Sequence, residues 1–213
     1  MAIVENPKIG RTKGCVGNVV FFNRYGKNII RTKPLEVKNP RTPGQEFSKD
    51  RFRKLLLILH QVLGYINAAY AGSVEGMSTH NRVMSINKKN CFFEGTTSID
   101  PSLFVFCENE GSFVDNIVLS STSADTITGT FNSNAQNAGE EDDPVRAYGF
   151  HAEGDKIWQF EQSAIRKTGT ILLTKPEISG LNIAVYFECL DRVNVVNGEA
   201  KHVIKYVGTV KVV

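Results

Sequence analysis

Apolar residues recur at three- and four-residue spacing through Phe52, Leu55, Leu56, Leu59, Val62, Leu63, Ile66, Ala69 and Tyr70. That is the period of one helix face. Thr42-Pro43-Gly44-Gln45 supplies the start: Thr42 caps, Pro43 suits the first helical position, and Gln45 reaches back to the cap. The spacing predicts a helix from about 43 to 71. Leu57 and Ile58 fall off the stripe, so the middle of the helix is apolar almost all round and calls for burial on more than one side. Either another subunit or the C-terminal part of the same chain could cover it. A second helix is predicted over 78–91, capped by Ser78 or Thr79, with Met77, Met84, Cys91 and Phe92 on its buried side. Lys88 and Lys89 near its end suit the helix dipole.

Before these helices the pattern is that of a β-hairpin. Residues 16–22 are rich in β-branched and aromatic side chains, 23–27 supply a turn, and 28–32 return as a second strand ended by Lys33-Pro34. Gly10, Gly14 and Gly17 read as a flexible arm leading into it, since they match neither a Walker loop nor a dinucleotide loop. From about 96 the chain turns to short β segments. Strands are predicted at 103–107, 117–121, 126–131, 145–151, 157–162, 169–173, 183–190 and 202–213, with Trp158 as a core residue. Seven or eight strands in about 110 residues predict an immunoglobulin-like or fibronectin-III-like antiparallel sandwich. The fold class is therefore α+β, mainly β. Two domains are expected: 1–95, a basic arm with a β-hairpin and a helical interaction module, and 96–213, the sandwich.

Charge sharpens this division. Residues 1–90 hold 16 Lys and Arg against 5 Asp and Glu, whereas 91–213 hold 9 against 17. A basic half attracts nucleic acid, an anionic surface, or the acidic half of a neighbouring copy. No apolar run is long enough to cross a membrane as a helix, and Met1–Lys8 lacks the apolar stretch of a signal peptide. Synthesis in the cytoplasm is expected. Cys15, Cys91, Cys107 and Cys189 form no CxxC pair, which argues against a zinc knuckle or a redox motif and for small core hydrophobes.

No set of residues names a reaction. There is no HExxH, no GxSxG elbow, and the four histidines are scattered. His151-Ala152-Glu153 lacks the Pro-Cys-x-x-Cys that a zinc deaminase needs. The acidic run 140–143 does not have spaced calcium ligands and reads as a solvated loop. The expectation is a protein that is not an enzyme, without cofactor or metal. The hairpin is the strongest binding candidate, with Arg11, Lys13, Arg24, Lys27, Arg31 and Lys33 interleaved with Phe21, Phe22 and Tyr25. Such a ribbon could contact phosphates and stack on bases. Alternation, however, puts Val20 and Phe22 on one face and Val19 and Phe21 on the other. Two apolar faces favour a protein interface over a nucleic-acid reader.

These residues also carry a resemblance. The run 14–27, then 30–34 and 39–45, resembles a domain family of unknown function common in Bacteroidota and their phages. The shared pattern is a glycine-rich start, an aromatic strand, Gly-Lys, an Arg-Ser-x-Pro element and Thr-Pro-Ala-Gln before a long helix. Thr32 and Gly44 depart from it. Met84–Asn90 matches the family's Ser-x-Asn-x-x-Asn, and Tyr206-Val207-Gly208 its closing strand. The resemblance implies a sandwich with an N-terminal interaction module and no catalytic residues. The expected function is structural: a phage neck, ring or tail component that assembles with itself, as a ring or other homo-oligomer, and with other virion proteins. Nucleic-acid binding through the hairpin is the alternative, and a membrane partner is not expected. The expected interface residues are Phe21, Phe22, Arg24, Tyr25, Arg31 and Arg41, aromatics as anchors and arginines as clamps.

Overall fold

The computed structural model describes the chain apart from residues 1, 5–12, 25–26, 35, 37–39, 71–75, 109–110, 136–137, 152, 154–155 and 197–198. It divides into two compact units, Met1–Gln45 and Glu46–Val213.

The first unit is an antiparallel sheet. Its strands are β1 (Ala2–Val4), β2 (Gly14–Val16), β3 (Val19–Arg24) and β4 (Lys27–Thr32), in the order β1-β4-β3-β2. The strand predicted over 16–22 is broken by a two-residue turn at Gly17-Asn18, and Gly17 takes a positive φ of 55°. A Gly-Asn pair suits such a turn because glycine meets no Cβ penalty there. Gly14 and Gly17 thus shape a second hairpin, β2–β3, rather than a flexible arm; Gly10 lies outside the described residues.

The second unit holds the helices and the sandwich. Helix α1 (Pro43–Ala69) starts at the predicted proline, and Thr42 and Gln45 form the reciprocal cap, each backbone N–H donating to the other's side chain at 3.4 Å. Helix α2 (Thr79–Asn90) is capped by Ser78, whose hydroxyl accepts from the Asn81 amide at 3.3 Å. The strands that follow are β5 (Asp115–Ser123), β6 (Thr126–Asn132), β7 (Pro144–His151), β8 (Ile157–Ile165), β9 (Thr170–Thr174), β10 (Asn182–Val196) and β11 (Glu199–Lys211); a one-turn helix α3 (Ala138–Glu141) precedes β7. They form two antiparallel sheets, β5-β6-β9 and β11-β10-β7-β8. The fourth strand pairs with the third rather than with the fifth. That is the fibronectin-III-like arrangement of three plus four strands, not the four plus three of an immunoglobulin constant domain.

The four-stranded sheet is covered on both faces. Val185, Phe187 and Cys189 of β10 pack with Val145, Phe160, Ile127 and Leu173 in the core between the sheets. Ala184 and Tyr186 of the same strand pack with Tyr148, Phe150 and Ile204 against Leu55, Leu59, Val62 and Ile66 of α1 and Val83 of α2. The apolar helix is therefore covered within the chain along most of its length. Leu57 stays exposed and Ile58 is buried. Gln61 accepts from the Ile157 amide at 3.0 Å, tying α1 to β8. Because this core joins both helices to the sheet, the two compact units meet at 45/46, whereas the sequence suggested a division at 95/96. Trp158 is buried in the sandwich core, its indole N–H donating to Glu177 at 2.9 Å.

One predicted strand is absent. Residues 101–103 form a 3-10 turn, and Phe104–Cys107 form no strand, with a bend at Phe106. Side chains take the role of a ladder partner: Asn87 bonds both backbone groups of Val105, and the Tyr186 hydroxyl shares its one proton between the carbonyls of Phe104 and Pro101. Cys91, Cys107 and Cys189 are buried thiols, while Cys15 is exposed. Burial pushes the Cys91 thiol up to about 12, as expected of an inert core group.

Candidate interaction surface

The register of the N-terminal sheet decides which side chains share a face. Phe22 lies opposite Ile29, Val20 opposite Arg31, and Arg24 opposite Lys27. Directly paired residues project to the same side of a sheet. One face therefore carries Val20, Phe22 and Ile29 together with Arg24, Lys27 and Arg31 and, among the described residues of β3 and β4, no acid. The Arg31 guanidinium sits 5.8 Å from the centroid of the Phe22 ring, within cation–π range. The other face carries Val16, Val19, Phe21, Ile30 and Thr32, all uncharged. Two asparagines stand among them. The Asn23 amide donates to Asn28 Oδ1 at 2.9 Å, and Asn28 is buried.

Of the residues expected at an interface, the strands bring Phe22, Arg24 and Arg31 onto one face and put Phe21 on the opposite one. Tyr25 lies outside the described residues. Arg41 belongs to the segment before α1, is exposed, and takes a positive φ of 49°. The face with Phe22 can do two things chemically. It can pair with carboxylates around an apolar anchor, or with phosphates around a stacking ring.

Two polar clusters escaped sequence reasoning. The first surrounds Glu188 in the middle of β10. Its Oε2 accepts from the Tyr148 hydroxyl, its Oε1 meets His202 Nδ1, and Arg146 stands 4.0 Å away. Burial pushes the Glu188 carboxyl up, but the hydrogen bonds from His202 and Tyr148 outweigh it and hold the group below the usual carboxylate range. Tyr148, pressed into the core and against this carboxylate, is raised well above a normal phenol. Acid, base and phenol are thus together, yet each oxygen of Glu188 already has a partner and the group is 3% exposed. The arrangement is that of an ionised structural acid. The only sequence signal was one glutamate inside the apolar run 183–190.

The second cluster corrects the reading of the acidic run 140–143 as a solvated loop. Glu140 and Asp143 are buried, as are Asp191 and Arg166. The Arg166 guanidinium donates to Ser112 Oγ at 2.5 Å, to the Ser112 carbonyl at 3.0 Å and to the Leu190 carbonyl at 2.9 Å. Asp191 accepts from the Ser112 amide at 3.0 Å, and the Asp143 carbonyl from the Arg166 amide at 3.1 Å. One arginine so ties the entry to β5, the end of β8 and the middle of β10 together. Among the described residues, no group of three or more His, Cys, Asp or Glu is placed to hold a metal ion, and no helix is long and apolar enough to cross a membrane.

A family model matches residues 11–199, from the N-terminal sheet to the last strand. The chain belongs to DUF6266, a family of unknown function. No curated protein and no solved structure matches the chain. The match to DUF6266 takes in residues of both compact units, leaving out β1 and all but the first residue of β11.

Proposed function

We propose that this DUF6266 protein is a non-enzymatic structural protein that acts through protein–protein interfaces, as a neck, ring or tail component of a phage virion. The observation that carries the interface reading is the N-terminal sheet: a 45-residue unit with aromatic and aliphatic residues on both faces and its strand cations gathered on one. So small a sheet has little core of its own, and its apolar faces gain by covering one another or a partner. The virion reading draws support from the resemblance to a family of Bacteroidota and their phages. The partners are other copies of the chain and neighbouring virion proteins.

The test is reversal of Arg24 and Arg31 to glutamate, with mass read by light scattering during gel filtration. Loss of assembly with an unchanged circular dichroism spectrum supports the interface. An unchanged assembly removes this face from it.

A second reading, nucleic-acid binding, is favoured by the same face, where Arg24, Lys27 and Arg31 surround Phe22. It requires an oligonucleotide affinity that falls steeply with salt, because each phosphate contact releases counterions. An affinity flat in salt sinks it.

A further inference from the structure

The start of α1 and the end of α2 leave an open groove on the second unit. It has a volume of about 490 Å³ and is lined by Ser48, Lys49, Phe52, Arg53, Leu56 and Lys88. A smaller hollow of about 130 Å³ adjoins it and shares Ser48, Phe52 and Lys88, adding Phe47 and Phe92. The floor is apolar and half open to water: Phe52 is 46% exposed and Phe47 37%. The rim is basic. Arg51 is committed, lying 4.6 Å over Phe47 and 4.8 Å over Phe92 while its Nε donates to the Thr96 carbonyl at 2.7 Å. Arg53 pairs with Asp50 at 3.5 Å. Lys49 and Lys88 make no ion pair among the described residues. Two aromatic side chains left half exposed between lysines mark an interaction site rather than ordinary surface.

We infer that this groove receives the acidic sandwich of a second copy. The argument is charge complementarity. Helices and groove belong to the part of the sequence where cations predominate, whereas acids outnumber cations over 91–213, also when those buried among the described residues are set aside. Asp115, Asp142 and Glu161 are exposed on separate segments of the sandwich. Apolar residues are exposed there too, including Val118 and Leu172. A nucleic acid fits less well. With Arg51 and Arg53 engaged, Lys49 and Lys88 are the cations left to face phosphates, and the floor is wide and apolar. Groove and sandwich are different surfaces, so the contact is head-to-tail and closes into a ring if its rotation closes. The inference rests on the self-assembly reading above and gives it a site distinct from the N-terminal sheet.

The experiment is a charge-swap complementation on the full-length chain. One variant reverses the groove, Lys49→Glu with Lys88→Glu. The other reverses the sandwich, Asp115→Lys with Asp142→Lys and Glu161→Lys. Mass is read by light scattering at low salt, with circular dichroism as the folding control. The wild type is expected to be oligomeric, each variant alone monomeric, and an equimolar mixture to recover a complex, because a reversed groove now fits a reversed sandwich. Phe52→Ser, which alters the floor without touching charge, also lowers the wild-type mass. A groove-reversed chain that keeps the wild-type mass overturns the inference. So does one that loses only oligonucleotide binding. If reversal of Arg24 and Arg31 abolishes assembly while groove reversal does not, the groove alone is wrong. A wild type that is monomeric at every salt removes self-assembly altogether.

Discussion

Glu188 is a carboxylate withdrawn from water and then satisfied on both oxygens by Tyr148 and His202. Its ionised form is favoured in the folded state, so its folded pKa lies below the value of roughly 4.3 expected when unfolded. The sign follows from proton counting. Stability from Glu188 is fully present above the unfolded value and is lost as pH falls through the folded one, because the unfolded chain binds the proton first. Glu188→Gln is therefore expected to lower stability at neutral pH by about 1–3 kcal/mol, the cost of weakening bonds to a buried charged acceptor. It should also flatten the acid limb of a urea-midpoint-against-pH curve. The limb does not vanish, since Glu177, held low by Lys156 and Trp158, titrates the same way at the surface. A Glu188→Gln curve parallel to the wild type from neutral pH down to pH 3 would assign the acid sensitivity elsewhere.

Among the elements, α2 does more than fill space. Asn87 donates to the Val105 carbonyl at 2.7 Å and to the Val83 carbonyl at 3.0 Å, and accepts from the Val105 amide at 2.8 Å. It is buried, and it replaces the ladder that Phe104–Cys107 lack. Asn87→Ala leaves two backbone groups of Val105 without their partner, and a loss of about 2–4 kcal/mol is expected in chemical denaturation. Ser78→Ala, removing only the α2 cap, should cost about 1 kcal/mol. If the two variants are equally mild, Asn87 does not pin this segment. The contrast shows where sequence reading reaches its limit. The α1 stripe, the Thr42 cap, the Ser78 cap and seven sandwich strands were legible, because period and caps are local signals. The strand predicted at 103–107 was not, because apolar residues alone do not say whether a backbone pairs with a strand or with side chains such as Asn87 and Tyr186. The candidate face shows the same boundary. Alternation separated Phe21 from Phe22, but the partners Ile29 and Arg31 depended on register. The groove was invisible, since Phe52 belongs to the same stripe as Leu55 and only tertiary packing distinguishes the covered from the open end.

At the scale of the whole molecule, charge and core divide the chain differently. Residues 91–213 hold 17 acids, and among the described residues Glu140, Asp143, Glu188 and Asp191 are buried, with Arg166 also buried. Among the described residues, the acidic excess at the surface is thus smaller than the sequence suggests, which makes charge-driven assembly contacts weaker than formal charge implies. The core divides near the start of α1. Among the described residues, both apolar clusters draw on Leu55 and later side chains. Loss of the first unit should therefore leave the second nearly intact. A fragment of residues 42–213 keeps the Thr42–Gln45 cap, so α1 still has its start. It is expected to unfold in one cooperative transition, with a stability within about 1 kcal/mol of the same transition in the full chain. Assembly separates the surfaces further. The fragment lacks Arg24 and Arg31 but retains the groove and the sandwich, so a head-to-tail contact through the groove predicts salt-dependent mass in the fragment itself. A fragment that folds but stays monomeric at low salt would place self-assembly in the N-terminal sheet. A fragment that does not fold would make the two units one cooperative structure.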